Sequence, residues 1–277
     1  MITILLIGGL GNQLFQIFAT IAYSLENRVK FILPFNKLPG DKRQLTYWDN
    51  MLKNLKPFTT PQLLFLPRWR QKNFYYTPIP INRTKSFMLD GYFQTEKYFK
   101  KEYQNIIRLI GLRKQQKLLY KKEKKTYFAK PTISLHFRLG DFVKLSDYHP
   151  VISLNYYINA LNFIVKKTNQ IDWNVIYFCE EQDNEIIQKN ISIIQEKNPS
   201  LCFIKANDKL QDWEQLLLMS CCQHNIIANS TFSWWGAYFN ENNEKIVCCP
   251  DVWMGEKNIY YGEEQDLIPP EWFKIFS

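Results

Sequence analysis

His136, Arg138, Gly140 and Asp141 stand within one stretch of six residues, and residues of these types could grip an anion. Arg138 carries a planar fork of donors that fits a phosphate or carboxylate through two bonds, and it stays charged at any working pH. The stretch follows an apolar run over residues 132–135 that reads as a buried strand. A strand ending in this way delivers polar side chains to the place where open α/β sheets bind ligands. An arginine tied to Asp141 in a structural pair is the competing reading, and the stretch by itself does not decide between them.

Two more stretches have the same character. Gly8-Gly9-Leu10-Gly11-Asn12-Gln13 lies between an apolar run and a helical pattern. Glycines there allow a tight turn and a close approach of backbone to a ligand, and Asn12 and Gln13 add two amides able to hydrogen-bond a sugar. The loop is not a dinucleotide fingerprint, because Leu14 occupies the third glycine's place, and it is not a phosphate-binding P-loop, because no Lys-Ser/Thr pair follows. Residues 225–236 run from a strand into Asn229-Ser230-Thr231, which are N-cap residues, and free amides and hydroxyls at a helix N-terminus attract anions. Capping explains one such residue but not the cluster of Asn229, Ser230, Thr231 and Ser233 beside Trp234-Trp235. The same triplet matches the N-glycosylation acceptor pattern, which a buried strand end in a cytosolic chain argues against.

The elements that must position these residues follow from apolar periodicity. Strands are expected over residues 2–7 and 29–33, with a helix over 14–25 between them. A strand and turn over 87–94 and a helix over 96–110 follow. Residues 34–86, rich in Pro and aromatics, read as short helices and substrate-contacting loops. The lysine-rich segment 113–130 ends at Pro131 and reads as a boundary between domains. The alternation then restarts, with strands over 132–137, 173–179, 201–204, 225–228 and 245–249. Helices are expected over 155–167, 184–197 and 213–222, and one more is capped by residues 229–231. The fold class is therefore α/β, with two Rossmann-like domains, 1–130 and 131–277, facing a cleft.

Bulk properties agree with a globular chain. Its 277 residues are 46% hydrophobic, enough for sizeable cores. The net charge of +9 divides unevenly: residues 1–130 hold 24 Lys and Arg against 7 Asp and Glu, residues 131–277 only 11 against 19. A basic half of this kind could face anionic lipid, nucleic acid or an acidic acceptor, although a solvated basic surface explains the run 113–125 more simply. The six cysteines all lie in the second half without metal-ligand spacing, which suits buried thiols in a reducing compartment. No apolar run reaches 18 residues, so a cytoplasmic protein is expected, with peripheral contact to an anionic membrane permitted by the basic half.

G-G-L-G-N-Q near the start, D-G-Y-F-Q from Asp90, H-F-R-L-G-D from His136 and I-I-A-N-S-T-F-S-W-W from Ile226 together resemble glycosyltransferase family 11, the inverting α-1,2-fucosyltransferases. Order and spacing match over about residues 4–250. The resemblance implies a GT-B fold, GDP-β-L-fucose as donor substrate, no cofactor and no metal. It also implies a galactose-terminated oligosaccharide as acceptor, with the second domain holding the donor and the first mainly the acceptor. Carried over by residue, Arg138 grips the donor pyrophosphate, with His136 beside the nucleotide. Asp141 orients Arg138 or closes its loop, and Asn229, Ser230 and Thr231 hold phosphate oxygens, with Ser233 in the same group. Gly9, Gly11, Asn12, Gln13 and Asp90 belong to the sugar side, and Glu214 is a candidate partner for guanine. Asp141, Asp90 and Glu96 compete as general base. The family commonly has a second arginine where this chain has Leu139, so either Arg138 suffices or Lys144 or a base of the first domain substitutes. Without a D-x-D motif, stabilisation of the departing GDP falls to preorganised cations and amides. Fucosyl transfer to another position and non-catalytic binding of a nucleotide sugar are the alternatives. A nucleic-acid-binding module is disfavoured, because the basic residues are scattered and no recognised motif accompanies them.

Overall fold

The computed structural model describes residues 1–37, 46–62, 64–82, 84–143 and 145–277, and of Asp141 and Val143 the backbone alone. The chain divides into two compact units, Met1–Gln115 with Gly262–Pro269, and Gln116–Tyr261 with Pro270–Ser277.

In the first unit, β1 (Ile2–Ile4) leads through the glycine loop into α1 (Leu10–Asn27). Then come β2 (Leu33–Pro34), β3 (Thr59–Thr60), β4 (Arg68–Arg70), β5 (Phe87–Asp90) and α2 (Tyr103–Ile110). Strands β4, β5 and β1 pair in parallel, β2 pairs in parallel with β3, and a parallel bridge joins Ile2 to Phe31. Helix α1 buries Leu14, Phe15, Ile17, Phe18, Ile21 and Ala22 completely. Apolar residues on nearly all sides mark a core helix rather than a surface one with a single stripe. It also starts earlier than periodicity suggests, so Gly11, Asn12 and Gln13 lie in its first turn and not in a loop.

The lysine-rich segment is not a linker. It forms α3 (Leu112–Tyr127). From Gln116 onward it belongs to the second unit: Gln116 Nε2 donates to Ser220 Oγ and to the Phe239 carbonyl, and Asn174 Nδ2 donates to the Tyr127 carbonyl. The expected division at 130 therefore moves to Gln115. The Gly262–Pro269 segment joins the first unit, where Glu263 and Asp266 accept the backbone N–H groups of Phe74 and Tyr76. The charge asymmetry shrinks accordingly. Counted by these units, the first holds 18 Lys and Arg against 9 Asp and Glu, and the second 17 against 17. The second unit therefore carries no net negative charge to oppose an anionic ligand.

That unit contains β6 (Thr132–His136), α4 (Leu154–Thr168), β7 (Asn174–Phe178), α5 (Asn184–Lys197) and β8 (Cys202–Lys205). It continues with α6 (Asp212–Ser220), β9 (His224–Ile226), α7 (Thr231–Tyr238), β10 (Val247–Pro250) and β11 (Phe273–Ile275). All six strands are parallel, in the order β11-β10-β9-β6-β7-β8. Strands covered on both faces read as unbroken apolar runs, which is why they were legible, and Ile133, Leu135, Val175, Ile176, Ile226 and Cys248 are fully buried. Helix α7 packs on α6 at Gly236, where a Cβ would come 2.8 Å from the Met219 Cβ. Trp234 and Trp235 are fully buried in this core, Trp234 against Tyr238 and Trp272, so they do not line a ligand site. All six cysteines are free, and burial pushes the thiols of Cys221 and Cys249 up to about 12.

Candidate functional site

The strand order of the second unit reverses direction between β6 and β9. From β6 the chain moves outward through β7 to β8, then returns to place β9 on the other side of β6 and moves outward again. At such a reversal the loops leaving neighbouring strands diverge, and a crevice opens beyond their carboxyl ends. Register fixes what meets there. Leu135 pairs with Tyr177 on one side and with Ile226 on the other. Continued along each strand, this register sets Arg138 level with Glu180 and with Asn229.

His136 closes β6 and is buried. Its Nδ1 has no hydrogen-bond partner among the described residues, and its ring lies 5.6 Å from that of Phe232 at the start of α7. Burial, assisted by the Arg138 charge, pushes its pKa down to about 3. His136 is thus a neutral imidazole at working pH, able to share a hydrogen bond but not to add a cation. Asn229 leaves β9 and is also buried. Its Nδ2 donates to the carbonyls of Pro150 (2.9 Å) and Trp253 (3.2 Å), which ties two loops to the strand end, while its Oδ1 has no partner among the described residues. Unpaired polar atoms in a buried position cost free energy, roughly 1–3 kcal/mol each, so two on adjacent strand ends point to a polar ligand.

Arg138 is ion-paired with Glu180, and its guanidinium lies 5.0 Å from the Phe142 ring centre. The side chain of Asp141 and the whole of Lys144 lie outside the described residues. Leu139 packs against the hydrophobic core of this unit. Ser230 caps α7, its hydroxyl accepting from the Phe232 N–H at 3.4 Å, and Thr231 opens the helix, half-buried. Ser233 is buried with its hydroxyl donating to the Ser230 carbonyl at 3.3 Å, so it serves its own helix and is withdrawn from the donor group.

Glu214 has a structural place instead of the expected guanine contact. One carboxylate oxygen accepts from the Gln211 N–H (3.1 Å) in a capping box at the start of α6, and the other pairs with Lys122 (3.3 Å). On the first unit, Gly9 is the N-cap of α1 and Gly11 is buried in its first turn. Gln13 is fully buried, with its Nε2 donating to the Gly8 carbonyl (2.9 Å) and its Oε1 accepting from Thr46. Asn12 Oδ1 accepts from Gln94 Nε2 at 2.9 Å. Asp90 accepts from Arg70 Nε at 3.2 Å, and Glu96 pairs with Lys100 at 2.6 Å. The amides and carboxylates expected on the sugar side are therefore engaged with other residues of the first unit. Glu180, which lies just past the strand expected over 173–179 and was not singled out, is the residue sequence reasoning missed. Its sole signal is the register of β6 on β7.

The profile of glycosyl transferase family 11 matches residues 1–275. The chain belongs to that family. Among its relatives, an alpha-1,2-colitosyltransferase of Escherichia coli is 25% identical over 98% of this chain and 97% of its own length. A galactoside 2-alpha-L-fucosyltransferase of Caenorhabditis elegans is 24% identical over 99% of this chain and 79% of its own. Among solved structures, the fucosyltransferase NodZ from Bradyrhizobium aligns with 85% of this chain and 92% of its own at 9% identity and a TM-score of 0.47. This family 11 chain is accordingly a glycosyltransferase of α/β build with parallel sheets, and among the described residues no helix is long and apolar enough to cross a membrane.

Proposed function

We propose that this protein transfers L-fucose from GDP-β-L-fucose to O2 of a galactose-terminated glycan, with inversion and without a metal. The observation that carries the reading is the pair of buried atoms without a partner among the described residues, His136 Nδ1 and Asn229 Oδ1, beside Arg138 at the reversal of a parallel sheet. Arg138 takes the negative charge that grows on the diphosphate as the glycosidic bond breaks, with the N-terminus of α7 at Ser230 and Thr231 adding its dipole. His136, neutral, positions the donor through a hydrogen bond and leaves the cationic work to Arg138. Asp141 remains the candidate base for the acceptor hydroxyl. Both relatives that match nearly the whole of this chain carry a 2-linkage in their names, which supports O2 as the acceptor position. The colitosyltransferase relative favours one second reading, in which the same site moves a colitosyl group.

The test is an array of GDP-fucose and a colitosyl donor against galactosides, scored by GDP release and followed by linkage analysis. Release of GDP with a new 1,2-linked fucoside is the expected result. Exclusive use of the colitosyl donor selects the second reading, and tight donor binding with no turnover on any acceptor leaves a binding protein.

A further inference from the structure

Arg138 has a partner that the family resemblance does not assign. The turn after β7 meets the loop after β6 at two points, and a third hydrogen bond braces that turn from within. Arg138 Nη1 donates to Glu180 Oε1, Gln182 Nε2 donates to Glu180 Oε2 at 2.7 Å, and the Gly140 N–H donates to Asp183 Oδ2 at 2.9 Å. Gly140 sits at φ +39°, and a Cβ there would come 2.7 Å from Glu180 Oε2, so this glycine is what allows the carboxylate its approach. The side chains of Arg138 and Glu180 are 25% and 41% exposed, which places the pair between the weak surface case and the locked interior one. Such a pair holds a guanidinium in place yet can be exchanged for a stronger anion.

We propose that Glu180 is a positioning residue that holds Arg138 before the donor arrives and gives it up to the donor's diphosphate. This rests on the reading of Arg138 as the diphosphate's cation. A diphosphate and Glu180 compete for the same guanidinium. Gln182 gives the displaced carboxylate an anchor that does not depend on Arg138, so the exchange leaves no charge stranded. When GDP departs, the pair closes again and favours release of product.

The competition has a sign that a merely structural role lacks. Glu180→Gln keeps the shape and an acceptor oxygen but removes the charge. GDP should then bind about tenfold more tightly by titration calorimetry, and the KM for donor should fall by a similar factor while kcat does not rise. Glu180→Asp, which keeps the charge, should lie closer to the parent than the amide does, and a thermal melt of each variant confirms the fold. Unchanged or weaker GDP binding in Glu180→Gln overturns the proposal. Arg138→Ala separates the two levels. If it binds GDP like the parent, the reading of the donor site fails. If it loses GDP while Glu180→Gln shows no gain, only the role given to Glu180 fails.

Discussion

Two strand–loop–helix turns in this chain look alike in composition and behave oppositely. The turn after β1 holds Gly8, Gly9, Asn12 and Gln13, and its amides are tied to Gly8, Thr46 and Gln94. The strand ends after β6 and β9 hold His136 and Asn229, each buried with a polar atom that no described residue satisfies. Both regions offer polar groups beside a helix N-terminus. Only one leaves them for something outside the protein. Residue type indicates what a group could bind, and the tally of its hydrogen bonds tells whether it is still available.

The sharpest way to break the contrast is to remove the cation. Arg138→Ala should lower the rate of transfer by a hundredfold or more, roughly 3 kcal/mol, with little change in melting temperature. A variant with near-normal GDP release would end the mechanism. Gln13→Ala should do the reverse, costing about 2 kcal/mol of stability in denaturant unfolding because it strips partners from a buried loop, while the KM for donor stays put. A raised KM with intact stability would return Gln13 to the sugar side.

Acid sharpens the comparison further. His136 and His224 are pushed by burial to about 3 and about 4, below their ordinary value, so the unfolded chain takes up protons first. Their contribution is whole above pH ~6.5 and is lost as pH falls toward those values, His136 alone withdrawing about 1.4 kcal/mol per pH unit. Urea unfolding at several pH values between 7 and 4.5 reads this directly, and His136→Gln should flatten the slope. The smallest effect belongs to Glu214→Ala, which removes a cap and an exposed ion pair. It should cost on the order of 1 kcal/mol of stability and leave GDP affinity alone. Loss of GDP binding would restore the guanine contact.

The second unit was largely legible in the sequence because parallel strands covered on both faces are continuous apolar runs, and β6, β7 and β9 fall where such runs do. The starts and joints were not. Gly8 and Gly9 drew attention to a loop, yet the helix begins at Leu10, since Gly9 can cap it without a side chain. The stretch 113–130 looked like a linker because lysines dominate it, while the few residues that seat α3, such as Gln116 and Tyr127, form too narrow a stripe to stand out. Arg138, His136 and Asn229 were found by type and position. Glu180 was not, because its meeting with Arg138 depends on pairing between strands some forty residues apart in sequence, which no local pattern records.

Asn229 carries one more consequence, and it concerns where the chain can be made. With Ser230 and Thr231 it spells an acceptor for N-linked oligosaccharide, and the atom that a glycan would occupy is its Nδ2. That nitrogen is the one shared by the Pro150 and Trp253 carbonyls. A host that exports the chain would offer the triplet to its glycosylation machinery before the sheet closes over it, and a sugar attached there would leave two loops without their tether. Production in a cytosol, or through a secretory route with Thr231→Ala, keeps the amide for the fold.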